Sequence, residues 1–345
     1  MSTKYLLLAE GFSGDTHYGK TMWGVLRYRR DDVVAILDSE RAGETVDGVP
    51  VVGTVAEALP LSPSTALVGV ATQGGRFPPA WIDLLKTCIV NGLHIENGLH
   101  VFVADDSELS GLAARHGVEL RDLRRPPRDL STATGANLDV PATIVLTVGS
   151  DCAIGKMTVS LELDLEARRR GIRSVFVPTG QTGIAIAGWG IAVDAVVADF
   201  IAGAAERLVV EGSARGGELL WVEGQGALQH PVYSGVTLGL YHGSVPHLLV
   251  LCHESGHDTI EGAGGGPHPI SPLAELVALH ERAALPARPA RVAAIALNTR
   301  RLSEEEARAA VAAAEAETGL PADDPVRFGA SRLVDAVLAL GPAGT

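Results

Sequence analysis

Residues 143–158 read TIVLTVGSDCAIGKMT. An apolar, β-branched run ends at Gly149, five residues separate it from Gly155, and Lys156 follows. A helical pattern, VSLELDLEARRRG, comes next. Strand, glycine-bounded loop and helix form the arrangement of a phosphate-binding loop. Its backbone N–H groups and helix N-terminus point at anionic oxygens, and one lysine adds a point charge. The residues expected at the anion are Gly149, Ser150, Cys152, Gly155, Lys156, Met157 and Thr158. The usual spacing has four residues between the glycines and a hydroxyl directly after the lysine. Here Met157 takes that place, and Thr158 is the nearest substitute, a magnesium ligand only if magnesium is used.

Three carboxylates are candidates for proton transfer, with Lys156 as the cation among them. Glu223 ends the apolar run of ELLWVEGQG. Ligands of a parallel sheet collect at the carboxyl ends of its strands, so Glu223 is expected to face the loop, holding magnesium or acting as a base. Asp151 lies inside the loop, where a carboxylate is costly unless it meets a cation; it is expected to meet magnesium or a substrate ammonium, to act as a base, or to cap the helix. Asp194 opens an expected helix over 193–208, where an acid also complements the dipole.

Polar side chains cluster nearby. Thr179, Gln181 and Thr182 follow an expected strand at 174–178 and suit an anionic substrate. The stretch LQHPVYSGVTLGLYHG reads as a loop whose His230, Tyr233, Ser234 and Thr237 line a site. Ser234 lacks the surroundings of a nucleophile elbow, so no hydrolase triad is expected. His253, His257 and His268 fall in HESGHDTIEGAGGGPH, but its glycines oppose a helix, and no zinc site is expected. Asn298 ends the run AAIALN, where an amide suits an adenine edge or a turn.

The elements that must position these residues read as two α/β domains. Short apolar strands alternate with helices from Tyr5 onward, which implies parallel sheets. The expected division is a Rossmann-like domain over 1–135 and a phosphate-loop domain over 136–345. The charged, proline-containing stretch 121–137 reads as the linker. A net charge of −13 argues against a nucleic-acid partner. Three scattered cysteines imply a reducing cytoplasm, and no apolar run reaches spanning length, so no membrane association is expected. Self-association into a homo-oligomer is expected, and small-residue stretches such as 193–208 suit a subunit interface or an internal one.

GSDCAIGKMT, VEGQG and the strand end at Asn298 resemble dethiobiotin synthetase and its relatives, over about residues 142–300. A longer likeness runs through GKTMWGVLRY, ILDSERAG, NGLHIENGLHVFVADD, GSDCAIGKMT, PTGQTGIAIAGWGIAVDAVVADF and VEGQGALQHPVYSGVTLGLYHGS. These resemble a long-unassigned bacterial phosphate-loop family that includes the D-glutamate N-acetyltransferases. VVAILDSERAGETVDGVPVVGTVAEAL also resembles the CoA-binding Rossmann domains of acyl-CoA synthetases.

The resemblance implies an N-acyltransferase that uses acetyl-CoA on a small-molecule substrate, an acidic amino acid such as D-glutamate. The loop would then hold a CoA phosphate. The alternative is an ATP- and magnesium-dependent kinase or ligase of the dethiobiotin synthetase type, with Thr158 and Glu223 on the metal and Asn298 on adenine. A nucleotide-sensing module without turnover is the third reading.

Overall fold

The computed structural model describes residues 3–16, 18–72, 75–78, 80–262 and 266–341. Position 17, in a helix the sequence predicts over 16–28, position 79, in one it predicts over 79–91, positions 73–74, after a strand it predicts over 66–71, and 263–265 of the glycine-rich stretch lie outside the described residues. The chain divides into two compact units. One comprises Met1–Pro126 with Gln181–Ala195, the other Pro127–Gly180 with Val196–Thr345.

The first unit runs β1 (Tyr5–Leu8), α1 (Lys20–Tyr28), β2 (Val33–Leu37), β3 (Thr45–Val46), β4 (Val49–Val52), α2 (Val55–Ala58), β5 (Thr65–Val68), α3 (Trp81–Val90), β6 (His94–Asn97), α4 (Ser107–His116) and β7 (Leu120–Asp122). Its strands lie in the order β3-β4-β2-β1-β5-β6-β7. All pairs are parallel except β3 with β4. Leu6, Leu7 and Leu8 are buried, as the unbroken apolar run requires of a strand covered on both faces.

The second unit opens with β8 (Thr143–Gly149), α5 (Lys156–Arg169) and β9 (Ser174–Val177). The chain then gives α6 (Gln181–Ala187) to the first unit. It continues with α7 (Ile201–Ala214), β10 (Leu219–Val222), α8 (Ser234–Ser244), β11 (Leu248–Glu254), α9 (Leu273–Arg282), β12 (Arg291–Asn298), α10 (Glu304–Thr318), β13 (Ala322–Asp323) and α11 (Ser331–Leu340). The sheet order is β13-β12-β11-β8-β10-β9, parallel throughout. The strands diverge in connection on either side of β8, so a crevice belongs at its carboxyl end. The capping box expected at Ser303 and Glu306 is present at the start of α10.

Three expectations are corrected. The division expected at 135/136 lies at 126/127, and residues 181–195 go with the first unit because Ile184, Ala185 and Ala192 join its core. Arg124, expected in a linker, is buried, with its guanidinium on Gly98, Gln181 and Asp194. The helix expected over 193–208 starts at Ile201, and Asp194 lies in a 3₁₀ turn before it. The small residues of α7 serve an internal contact with α8: a Cβ at Gly243 would stand 2.3 Å from the Ala202 carbonyl oxygen.

No helix among the described residues is long and apolar enough to cross a membrane.

Candidate functional site

β8 delivers the chain to the loop. Its residues pair with β11 up to Gly149 beside Cys252, and the Ser150 N–H continues the ladder to the Cys252 carbonyl at 3.1 Å. Gly155 then takes a left-handed conformation (φ 111°), and α5 begins at Lys156 with no side chain capping it. An uncapped first turn presents backbone N–H groups and the positive end of the helix dipole.

Lys156 is only 6% exposed. Its Nζ crosses the loop and donates to the Asp151 carbonyl at 2.6 Å. A Cβ at Gly149 would press within 3.2 Å of that Nζ, so glycine is what lets the ammonium lie against the strand end. Burial pushes Lys156 down from its ordinary pKa, opposed by Cys152, Cys252, Asp151 and Glu223. A buried ammonium with this surrounding suits an incoming anion. Phosphate therefore fits the loop.

Glu223 follows β10 and forms the facing wall. It is buried, and its Oε2 accepts the N–H groups of Thr179 at 2.9 Å and Gly180 at 3.1 Å. Its Oε1 accepts from Gln225 at 3.3 Å. The next residue, Gly224, passes so close to β8 that a Cβ there would lie 1.8 Å from the Thr147 carbonyl oxygen. The Thr179 hydroxyl donates to the Glu223 carbonyl at 2.6 Å, and the Thr237 hydroxyl to the Gln225 carbonyl at 2.8 Å. These two threonines brace the wall and spend their protons on it.

Magnesium fits this arrangement poorly. Both Glu223 oxygens already accept hydrogen bonds, Met157 follows the lysine, and Thr158 offers one half-buried hydroxyl.

Asp151 is fully buried, and its carboxylate is shared among neighbours. Oδ1 accepts the Cys152 N–H at 2.6 Å. Oδ2 accepts the Glu261 N–H at 2.9 Å and faces His257 Nε2 at 2.8 Å. His230 Nε2 stands 4.0 Å from Oδ1. Its Nδ1 accepts the Val232 N–H, which leaves the proton on Nε2 for the Glu261 carbonyl. His253, at the end of β11, meets the Ser150 hydroxyl at 2.9 Å.

The glycines around His253 and His257 oppose a helix, and among the described residues of that stretch none forms. Their signal is positional: His253 lies at the carboxyl end of β11, the strand next to β8, and His257 follows it. Gln225, which joins Glu223 to Thr179, was missed for want of any motif.

The remaining candidates separate. Gln181, Thr182 and Asp194 belong to the first unit. There Gln181 Oε1 accepts from Arg124 at 2.7 Å, Thr182 shares a hydrogen bond with Thr21 at 2.9 Å, and Asp194 pairs with Arg124. Asn298 donates to the Ile154 carbonyl at 3.1 Å and to Glu254 at 3.3 Å, tying β12 to the phosphate loop. The expected loop over 228–243 is helical from Ser234, and its buried Thr237, Leu240, Tyr241 and Ser244 recur at helical spacing. Tyr233 is 49% exposed, with its ring 4.7 Å from that of His230.

Residues 131–334 match the model described as "Domain of unknown function (DUF1611_C) P-loop domain", and residues 39–126 match "Domain of unknown function (DUF1611_N) Rossmann-like domain". A protein of Tritonibacter scottomollicae named D-glutamate N-acetyltransferase is 36% identical over 344 residues, covering 99% of this chain and 100% of its own. A protein of a Pseudoalteromonas species with the same name is 36% identical over 285 residues, covering 81% of this chain and 83% of its own. The crystal structure of a DUF1611 family protein from Anabaena variabilis superposes with a TM-score of 0.90 at 41% identity, over 98% of this chain and 100% of that one. A Rossmann-like domain followed by a phosphate-loop domain, with two relatives of one name, leads to one assignment: this chain belongs to the DUF1611 family, and its enzyme class is that of an N-acetyltransferase.

Proposed function

We propose that this chain moves the acetyl group of acetyl-CoA onto the amino group of an acidic amino acid, D-glutamate foremost. The observation that carries the reading is the 36% identity, along the whole chain, to a protein named D-glutamate N-acetyltransferase. The loop supports it in kind. Lys156, the uncapped start of α5 and the backbone between Gly149 and Gly155 suit a phosphate group of CoA.

The substrate arrives as an ammonium and must shed a proton before its nitrogen attacks the thioester carbonyl. A C–N bond forms, the C–S bond breaks, and the CoA sulfur leaves with a proton. Such a reaction needs no nucleotide triphosphate and no magnesium. This agrees with a Glu223 whose Oε2 is held by two backbone N–H groups and whose Oε1 accepts from the Gln225 amide.

The test is CoA release from acetyl-CoA with a panel of D- and L-amino acids, run beside ATP with magnesium and the same substrates. CoA release with D-glutamate, with ADP release absent, is the expected outcome. ADP release with a carboxylate substrate, and no CoA release with any acidic amino acid, would replace this reading with the ligase one.

A further inference from the structure

We propose that His257 is the general base that deprotonates the attacking amine, and that Asp151 is the residue that positions it. The inference rests on the acetyl-transfer reading and names a residue for its proton step.

The geometry selects His257 among the groups around the loop. Its Nε2 lies 2.8 Å from a carboxylate oxygen of Asp151. A carboxylate only accepts, so Nε2 carries the proton and Nδ1 carries the lone pair. The His257 side chain is 12% exposed, while the carboxylate behind it is fully buried. This is the relation of a reactive imidazole to its orienting acid: an accessible ring backed by a buried carboxylate that stabilises the imidazolium.

The other candidates are committed. His230 is buried with both nitrogens engaged, Nδ1 by Val232 and Nε2 by the Glu261 carbonyl. Glu223 receives two backbone N–H groups on one oxygen and Gln225 on the other. Asp194 is paired with Arg124. Asp151 itself has no exposed surface from which to reach a substrate. It also sits in the loop that Lys156 spans, so the imidazole it orients stands at the anion site.

Protons balance as follows. The ammonium loses one proton to water. The free amine attacks the thioester carbon, and its surplus proton passes to His257 Nδ1 as the C–N bond forms. The C–S bond breaks, and the imidazolium returns that proton to the CoA sulfur. Thioester and ammonium become amide, thiol and one solvent proton.

The charged and titratable groups around His257 and its carboxylate are Asp151, Cys152 and Lys156 on the loop and α5, His230 after β10, His253 and Glu254 at the end of β11, and Asp258 and Glu261 after it. Arg300 and Arg301 after β12 are both paired to Glu254.

The experiment compares wild type, His257→Gln, His257→Ala and Asp151→Asn in acetyl transfer to D-glutamate across pH, with CoA affinity measured separately. His257→Gln should lower kcat by about 10²–10⁴-fold and leave CoA affinity within about threefold. Added imidazole should restore part of the activity of His257→Ala. Asp151→Asn should move the acidic limb of kcat/KM to lower pH, because the imidazolium loses its carboxylate. An active wild type whose His257→Gln variant keeps its rate and pH profile overturns this assignment alone. So does an acidic limb unmoved in Asp151→Asn. A wild type that acetylates no acidic amino acid overturns the acetyl-transfer reading, and this inference with it.

Discussion

At the scale of single residues, Lys156 decides the most. It is both the cation of the loop and a strut across it, through its bond to the Asp151 carbonyl. On the acetyl-transfer reading, Lys156→Ala should remove a charge-assisted contact to a CoA phosphate worth about 1.5–3 kcal/mol, a loss of roughly ten- to hundredfold in CoA affinity. It also leaves a buried carbonyl without its donor, which costs about 1–3 kcal/mol of stability. Lys156→Arg should not restore binding, since a planar fork does not fit where a compact ammonium lies. The sign of the pH effect follows from burial. Lys156 titrates below its ordinary value, and only its protonated form attracts the anion. CoA affinity should therefore decline with rising pH before an ordinary lysine would lose its proton. Calorimetric titration with CoA across pH, beside urea unfolding, checks both effects. Unchanged affinity and unchanged stability in Lys156→Ala would remove the phosphate-loop reading.

At the scale of elements, one half-buried and one fully buried histidine engage backbone groups and are held neutral by their surroundings. His247 Nδ1 accepts the Ile144 N–H at 3.0 Å, joining the approach to β11 with β8. His280, in α9, is fully buried and donates from Nδ1 to the Leu276 carbonyl. Burial pushes each pKa down to about 4. A histidine depressed on folding stabilises the native state above its unfolded pKa, near 6.5, and that contribution is lost as pH falls toward 4. For His280 the span corresponds to roughly 3 kcal/mol. Urea unfolding at pH 7 and pH 4.5 should show a steep loss, made shallower by His280→Leu. An equal slope in that variant would remove His280 from the account.

The same elements show what the sequence makes legible. β8, its loop and α5 could be read because a strand buried on both faces is an unbroken apolar run and the glycines bound it. The Asp151–His257 pair could not be read, because its members lie 106 positions apart and meet only when β11 lies beside β8. Thr179 and Thr237 were legible as hydroxyls near a site but not as braces, since their acceptors are carbonyls that only the folded chain supplies.

At the scale of the whole molecule, the informative feature is the passage of residues 181–195 into the first unit. No composition change marks it, because its small apolar residues read like those around them. Ile184, Ala185 and Ala192 complete one of that unit's apolar cores, and Arg124 takes its partners Gln181 and Asp194 from the same stretch. Residues 1–126 alone should therefore melt without cooperativity, and a peptide of residues 181–195 supplied in trans should sharpen the transition. Calorimetry of the fragment with and without the peptide checks this. A cooperative melt of the fragment alone would show that the segment is dispensable.

This passage sets a timetable for synthesis. The first unit lacks its last core residues until the ribosome has moved about 70 residues beyond Pro126, roughly 3–14 s at ordinary elongation rates. During that interval an open apolar face waits on the nascent chain while β8, its loop and α5 are already emerging behind it. The first unit is thus the one that most needs a chaperone's cover. A slow codon cluster placed just after residue 126 would lengthen the exposure, and one placed after residue 195 would not.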